Sequence, residues 1–151
     1  MKKKIILFTL PLLLLAGLIY RRTQSEIQSS EKITVYQSRS CGCCQKWVKH
    51  LTNSGFQVES VMMDDVSVVK VENGVTPDLA SCHTAKVAGY VVEGHVPARA
   101  LRKLLSSKPN IKGIAVPGMP MGSPGMEGPR VEKYDVISFE ENGRQEVFMS
   151  F

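Results

Sequence analysis

Three of the chain's four cysteines stand at Cys41, Cys43 and Cys44, and the fourth, Cys82, is followed directly by His83. Any fold this chain adopts must find a place for those sulfurs. A disulfide needs two of them. Three thiols around one turn, with a distant Cys-His pair able to close over them, describe a site for a soft metal ion or cluster. Two structural disulfides would also consume four cysteines, but they do not call for three in four residues.

The first residues carry a different kind of signal. Lys2, Lys3 and Lys4 precede an apolar run at residues 5–19, which ends at Tyr20-Arg21-Arg22. A basic start followed by such a run is the pattern of a secretory signal. Fifteen helical residues reach about 22 Å, short of the hydrocarbon core of about 30 Å. Residues 1–22 are therefore expected to be a signal peptide. The lack of an Ala-x-Ala cleavage site and the charge at Arg21-Arg22 keep an N-terminal membrane anchor as the alternative. Residues 23–32 are polar and read as a tether, and residues 33–151 suffice for one domain. An exported protein meets an oxidising compartment, where thiols persist only if bridged, bound to metal or actively reduced.

Charge changes meaning once the leader is set aside. The chain has 19 Lys and Arg against 14 Asp and Glu, but five of the basic residues lie in the acid-free leader. The remainder is formally neutral. The basic balance belongs to targeting and excludes nucleic acid as an expected partner.

The rest of the chain reads as alternating elements. Residues 33–36 form a short strand. A helix follows across the cysteines, with Cys44, Val48 and Leu51 at helical spacing, and Asn53-Ser54-Gly55 stops it. Residues 56–62 alternate and form a second strand. Asp64 is placed to cap a short second helix running to Asn73-Gly74. Residues 82–96 read as a β-hairpin turning at Ala88-Gly89, and Pro97 opens a helix with Ala100, Leu101, Leu104 and Leu105 on one face. The order is β-α-β-α-β-β-α, with the cysteines at the start of the first helix. That is the order of an α/β, thioredoxin-like fold. A Gly/Pro/Met-rich loop at residues 116–129 and a final β-hairpin around Asn142-Gly143 complete the chain.

A helix start favours negative charge, so a thiol there readily becomes a thiolate. Cys41 and Cys44 lie three apart and face one side, close enough for a disulfide or a shared metal. Cys43 points roughly 100° from Cys44 on an ideal helix. Several ions bridged by thiolates suit that turn better than one tetrahedral ion. Soft sulfur selects Cu(I), with zinc the chief competitor. In a thioredoxin-like arrangement Cys82 comes within reach of Cys41 and Cys44. His83, next to it along a strand, faces the other way unless the chain bends there. His95, where the hairpin feeds the last helix, is a ligand candidate or a hydrogen-bonded polar residue. His50, mid-helix, reads as an ordinary polar residue, and Trp47 as a helix anchor. Met119, Met121 and Met126 lie where neither helix nor strand can run, so core packing explains them poorly, and thioether sulfur is a soft ligand that needs no deprotonation.

Four separated motifs, in order, resemble the bacterial CopG copper-resistance proteins. They are Ser40-Cys41-Gly42-Cys43-Cys44, then Ser81-Cys82-His83-Thr84-Ala85, then the run from Gly89 through Glu93-Gly94-His95 to Pro97, and last the Gly113–Glu127 segment with its methionines. The resemblance covers residues 33–151. It implies a thioredoxin-like, exported, periplasmic copper protein whose cysteines bridge a multinuclear copper centre. Cys41, Cys43, Cys44 and Cys82 would be the ligands, with His83, His95, Met119, Met121 and Met126 as nearby candidates. It also implies copper handling that includes a change between Cu(I) and Cu(II), with periplasmic copper-handling proteins or an electron-transfer partner at its side.

Two other functions use the same residues. A thiol-disulfide oxidoreductase would employ Cys41 and Cys44 as its redox pair, though Cys43 would divert the disulfide and Cys82 stands where thioredoxins carry a cis-proline. A zinc-stapled or doubly disulfide-bonded interaction domain explains four cysteines but not the methionine loop.

Overall fold

Strand β1 (Lys32–Ser38) shows how the pattern becomes structure. Ile33, Val35 and Gln37 are buried while Thr34, Tyr36 and Ser38 are only partly covered, the period-two alternation of a strand with one face on the core. Lys32, expected at the end of the tether, is the first residue of this strand and pairs with Gln57. The computed structural model describes residues 13, 15–20 and 31–151, the first two of these sets helical. The rest of the expected leader and tether lies outside the described residues. No helix among the described residues is long and apolar enough to cross a membrane.

After β1 come helix α1 (Gly42–Asn53), strand β2 (Gln57–Met63), helix α2 (Ser67–Glu72), the hairpin strands β3 (Thr84–Val87) and β4 (Tyr90–Glu93), and helix α3 (Ala98–Ser107). The expected order β-α-β-α-β-β-α is the order found. Three more strands follow, β5 (Gly113–Ala115), β6 (Asp135–Phe139) and β7 (Gln145–Ser150), giving one seven-stranded sheet ordered β2-β1-β3-β4-β5-β6-β7. The sheet is mixed. β1/β2 and β4/β5 are parallel, joined by the α1 and α3 crossovers, and the remaining pairs are antiparallel.

Several boundaries move from their expected places. The hairpin begins at Thr84, so Cys82 and His83 precede the strand. Its turn is Ala88-Gly89, both at positive φ, which matches the twist of a tight two-residue connection. Asp64 does not cap α2; the neighbouring Asp65 carboxylate accepts from the Ser67 amide instead. β5 has only three residues and its Gly113 has no side chain. Its glycine is required, because a Cβ there would lie 2.1 Å from the Val91 carbonyl oxygen.

The core sits between the sheet and helices α1 and α3. Trp47 and Leu51 from α1 meet Ile33, Val35 and Val92 from the sheet and Leu101 and Leu104 from α3. Each fully buried aliphatic side chain of this kind contributes roughly 1.5–3 kcal/mol through its removal from water. Trp47 is the expected anchor: it is fully buried, and its indole N–H donates to the Val96 carbonyl at 2.8 Å. His50 accepts the Ala98 amide at Nε2, 3.1 Å away, and so satisfies one of the unpaired donors at the start of α3.

This topology brings four chain segments to one end of the sheet. Tyr36, near the end of β1, pairs with Thr84 at the start of β3; Thr84 pairs with Glu93 at the end of β4; Glu93 pairs with Ala115 at the end of β5. Cys41 therefore follows β1, Cys82-His83 enters β3, His95 leaves β4 and the methionine loop leaves β5, all side by side.

Candidate metal centre

Cys41 is the N-cap of α1, and its Sγ accepts the Cys44 amide at 3.3 Å. Cys41 and Cys44 are joined as a disulfide with Cα atoms 5.3 Å apart, while Cys43 and Cys82 are free. Cys43 Sγ lies 3.5 Å from Cys41 Sγ and 3.8 Å from Cys82 Sγ. All four sulfurs fall within 4.8 Å of one another. The convergence expected from the sequence is present, including Cys82 from 38 residues away.

A second group overlaps the first. Ligand atoms of Cys82, His83 and His95 also lie within 4.8 Å of one another. Cys82 Sγ is 3.4 Å from His83 Nδ1 and 2.9 Å from His95 Nε2. The concern that strand alternation would turn His83 away does not apply, because the chain bends at Cys82 and β3 starts only at Thr84. Both imidazoles are fully buried, with His83 against Trp47 at 4.3 Å between ring centroids and edge-on to His95 at 5.1 Å.

Proton positions follow from the partners. His95 Nδ1 lies 2.7 Å from the Pro124 carbonyl, which can only accept, so Nδ1 carries the hydrogen and the Nε2 lone pair faces Cys82. Such a backbone contact is the usual device that orients a ligating imidazole. Burial lowers the pKa of His95 and brings that of His83 down to about 3, with the neighbouring His95 and Lys70 charges adding to the effect. Both rings are neutral at ordinary pH, the form that ligates a metal. His83 Nε2 is buried without a hydrogen-bond partner. Burial, then the Cys43 sulfur, pushes the Cys82 thiol up to about 12, so a metal must displace its proton.

The methionine loop reaches this centre through its backbone. Gly125, at φ +92°, packs so closely that a Cβ would lie 2.6 Å from the Cys43 carbonyl and 3.2 Å from His95 Nδ1. Among the expected methionines, Met119 is half exposed, Met121 lies against Gly128, and the Met126 amide closes a turn onto Ser123. Sequence reasoning missed Pro124, Gly125, and the buried Glu93 with its partner Lys70. The signal for Glu93 was present: a carboxylate at the end of the apolar run Tyr90-Val91-Val92.

Residues 79–126 match a family described as a protein of unknown function, DUF411. No curated protein sequence matches the chain. A solved structure titled "Copper resistance protein copG- Form 2" shares 43% sequence identity at a TM-score of 0.76, covering 80% of this chain and 98% of its own. The chain belongs to the CopG copper-resistance family. A second CopG structure, Form 1, matches at 43% identity and TM-score 0.75, covering 80% of this chain and 96% of its own. The donor chemistry of this CopG chain fits copper. It offers four sulfurs within mutual reach and two neutral imidazoles beside one of them.

Proposed function

We propose that the chain binds Cu(I) through Cys41, Cys43, Cys44 and Cys82 in a multinuclear, thiolate-bridged centre and acts in copper resistance. The observation that carries this reading is the convergence of four sulfurs within 4.8 Å, three of them from a single helical turn. His83 and His95 extend the donor set on the Cys82 side, and the loop carrying the candidate ligands Met119, Met121 and Met126 meets it through Pro124 and Gly125. Zinc competes for such ligands, but a cluster this rich in sulfur favours the softer ion.

Cys41 and Cys44 give the centre a redox element. Opening their disulfide takes up two electrons and two protons and frees two sulfurs; closing it returns them. Copper binding by all four thiolates and the closed disulfide exclude each other. The chain thus couples copper occupancy to electron transfer, with a periplasmic copper-handling protein or redox protein as its partner. Export by the N-terminal signal or anchor places this in the cell envelope.

The disulfide itself favours a second reading, a thiol-disulfide oxidoreductase using Cys41 and Cys44. The two separate by comparing cysteine variants. Copper binding predicts that Cys43→Ser and Cys82→Ser both weaken Cu(I) uptake by the reduced protein against a competing chelator. An oxidoreductase tolerates Cys43→Ser, and its metal-free form rapidly reduces protein disulfides. A single tightly held zinc with no copper uptake would contradict the copper reading.

A further inference from the structure

The Cys82-His83 segment is irregular backbone, yet it must hold a thiol and an imidazole at fixed separation. What fixes it is a buried carboxylate. Glu93 is fully buried at the end of β4, between β3 and β5. Its Oε1 accepts the Ser81 amide at 2.6 Å and the Lys70 ammonium at 2.6 Å; its Oε2 accepts the Thr84 hydroxyl at 2.7 Å. Lys70 in turn donates to Thr84 Oγ1 at 3.1 Å. Ser81 and Thr84 flank Cys82-His83, so a single carboxylate grips the segment at both ends. Between those points the Gly94 amide donates to the His83 carbonyl at 3.1 Å.

Stability alone is a weak reason for such a pair. Desolvating two charges costs several kcal/mol per ion, and apolar replacements of similar volume are often neutral or stabilising. What an ion pair adds is direction, since charge-assisted hydrogen bonds tolerate little displacement. The direction here points at the two residues that close over the α1 cysteines. We infer that Glu93, neutralised by Lys70, is the positioning residue that holds Cys82 and His83 where they meet a metal ion. The inference rests on the copper reading above, and neither residue belongs to the two groups of candidate ligands.

Two variants separate positioning from simple support. Lys70→Met/Glu93→Leu removes both charges and the clamp while retaining apolar volume. Glu93→Gln retains an acceptor for the Ser81 amide but leaves the Lys70 ammonium without its counter-charge, with Thr84 Oγ1 still accepting from it. Positioning predicts that the double variant unfolds near the wild-type temperature yet binds Cu(I) about tenfold or more weakly, the loss typical of groups that orient metal ligands. Glu93→Gln, by contrast, unfolds at a lower temperature and keeps most of its copper affinity. Copper affinity that simply follows thermal stability across the two variants overturns the inference. Thr84→Val, which deletes one arm of the clamp and retains the ion pair, decides the matter if the double variant does not fold: several-fold weaker binding at unchanged melting temperature supports positioning, and unchanged binding overturns it.

A metal-free measurement keeps this independent of the copper reading. Cys43 and Cys82 sulfurs are 3.8 Å apart. A mild thiol oxidant is expected to cross-link them several-fold more slowly in Lys70→Met/Glu93→Leu than in wild type. Equal rates overturn the clamp. Absence of copper uptake by wild type, with the slower cross-linking intact, overturns the copper reading and leaves the clamp standing as the device that positions Cys82.

Discussion

His95 Nε2 stands 2.9 Å from Cys82 Sγ, the sulfur that also lies 3.8 Å from Cys43 Sγ. Cys82 is thereby the one residue common to the sulfur group and the Cys-His-His group. Replacing it should damage both, whereas Cys43→Ser leaves Cys82, His83 and His95 together. Metal analysis of reduced protein after gel filtration is expected to find less copper in Cys82→Ser than in Cys43→Ser. Equal retention by the two variants would show that the histidine side contributes nothing.

The disulfide makes copper uptake depend on oxidation state. With Cys41 and Cys44 joined, only two free sulfurs remain at the centre. The oxidised chain should take up fewer copper ions than the reduced one under anaerobic titration. Cys44→Ser should shrink the difference under mild oxidation, because the Cys41–Cys44 disulfide can no longer close.

His83 gives the metal-free protein an acid-sensitive stability. Its folded-state pKa is lowered from 6.5 to about 3, so below pH 6.5 the unfolded chain binds a proton that the folded chain refuses. Stability is therefore full above pH 6.5 and declines as pH falls toward 3, by about 1 kcal/mol per pH unit for one such group. Burial lowers His50 and His95 as well, with the same sign. Urea unfolding of the metal-free protein at pH 7 and pH 5 should show the decline, and His83→Phe should make it shallower by one proton.

The loop's approach to α1 is tested at glycine. Gly125→Ala adds a methyl against the Cys43 carbonyl and the Trp47 amide nitrogen at a φ of +92°, with a cost of about 1–3 kcal/mol from the backbone alone. Gly118→Ala, at φ +65° with nothing within 4 Å, carries only the backbone cost. Thermal unfolding should therefore rank Gly125→Ala below Gly118→Ala. Copper affinity should fall with Gly125→Ala, because the Pro124 carbonyl that orients His95 is its neighbour.

The parts of this molecule that sequence made legible are those where chemistry and local pattern coincide. Cys41-Gly42-Cys43-Cys44 at a helix start announces itself, as does the adjacent Cys82-His83 pair. Trp47 and the leucine face of α3 follow from helical spacing. The element order through α3 was readable because each strand and helix carries its own periodicity and stop signal. β5 was not, since three residues beginning with glycine show no period. The expected Asp64 cap of α2 is not formed: the N-cap is Val66, which makes no side-chain cap bond. It is Asp65 that accepts the Ser67 amide, a choice between two adjacent aspartates that only the backbone turn decides. Glu93 and Lys70 lie 23 residues apart on a strand and a helix, and only the packing of α2 against the sheet brings them together. Pro124 acts through its carbonyl, a group every residue possesses, so no side-chain pattern could single it out.

Copper stoichiometry of the fully reduced protein tests the four-sulfur centre most directly. Anaerobic titration with Cu(I), followed by absorption, is expected to saturate above one copper per chain with a thiolate-to-copper band growing throughout. Saturation at a single zinc ion per chain, with Cu(I) left in solution and no such band, would contradict it.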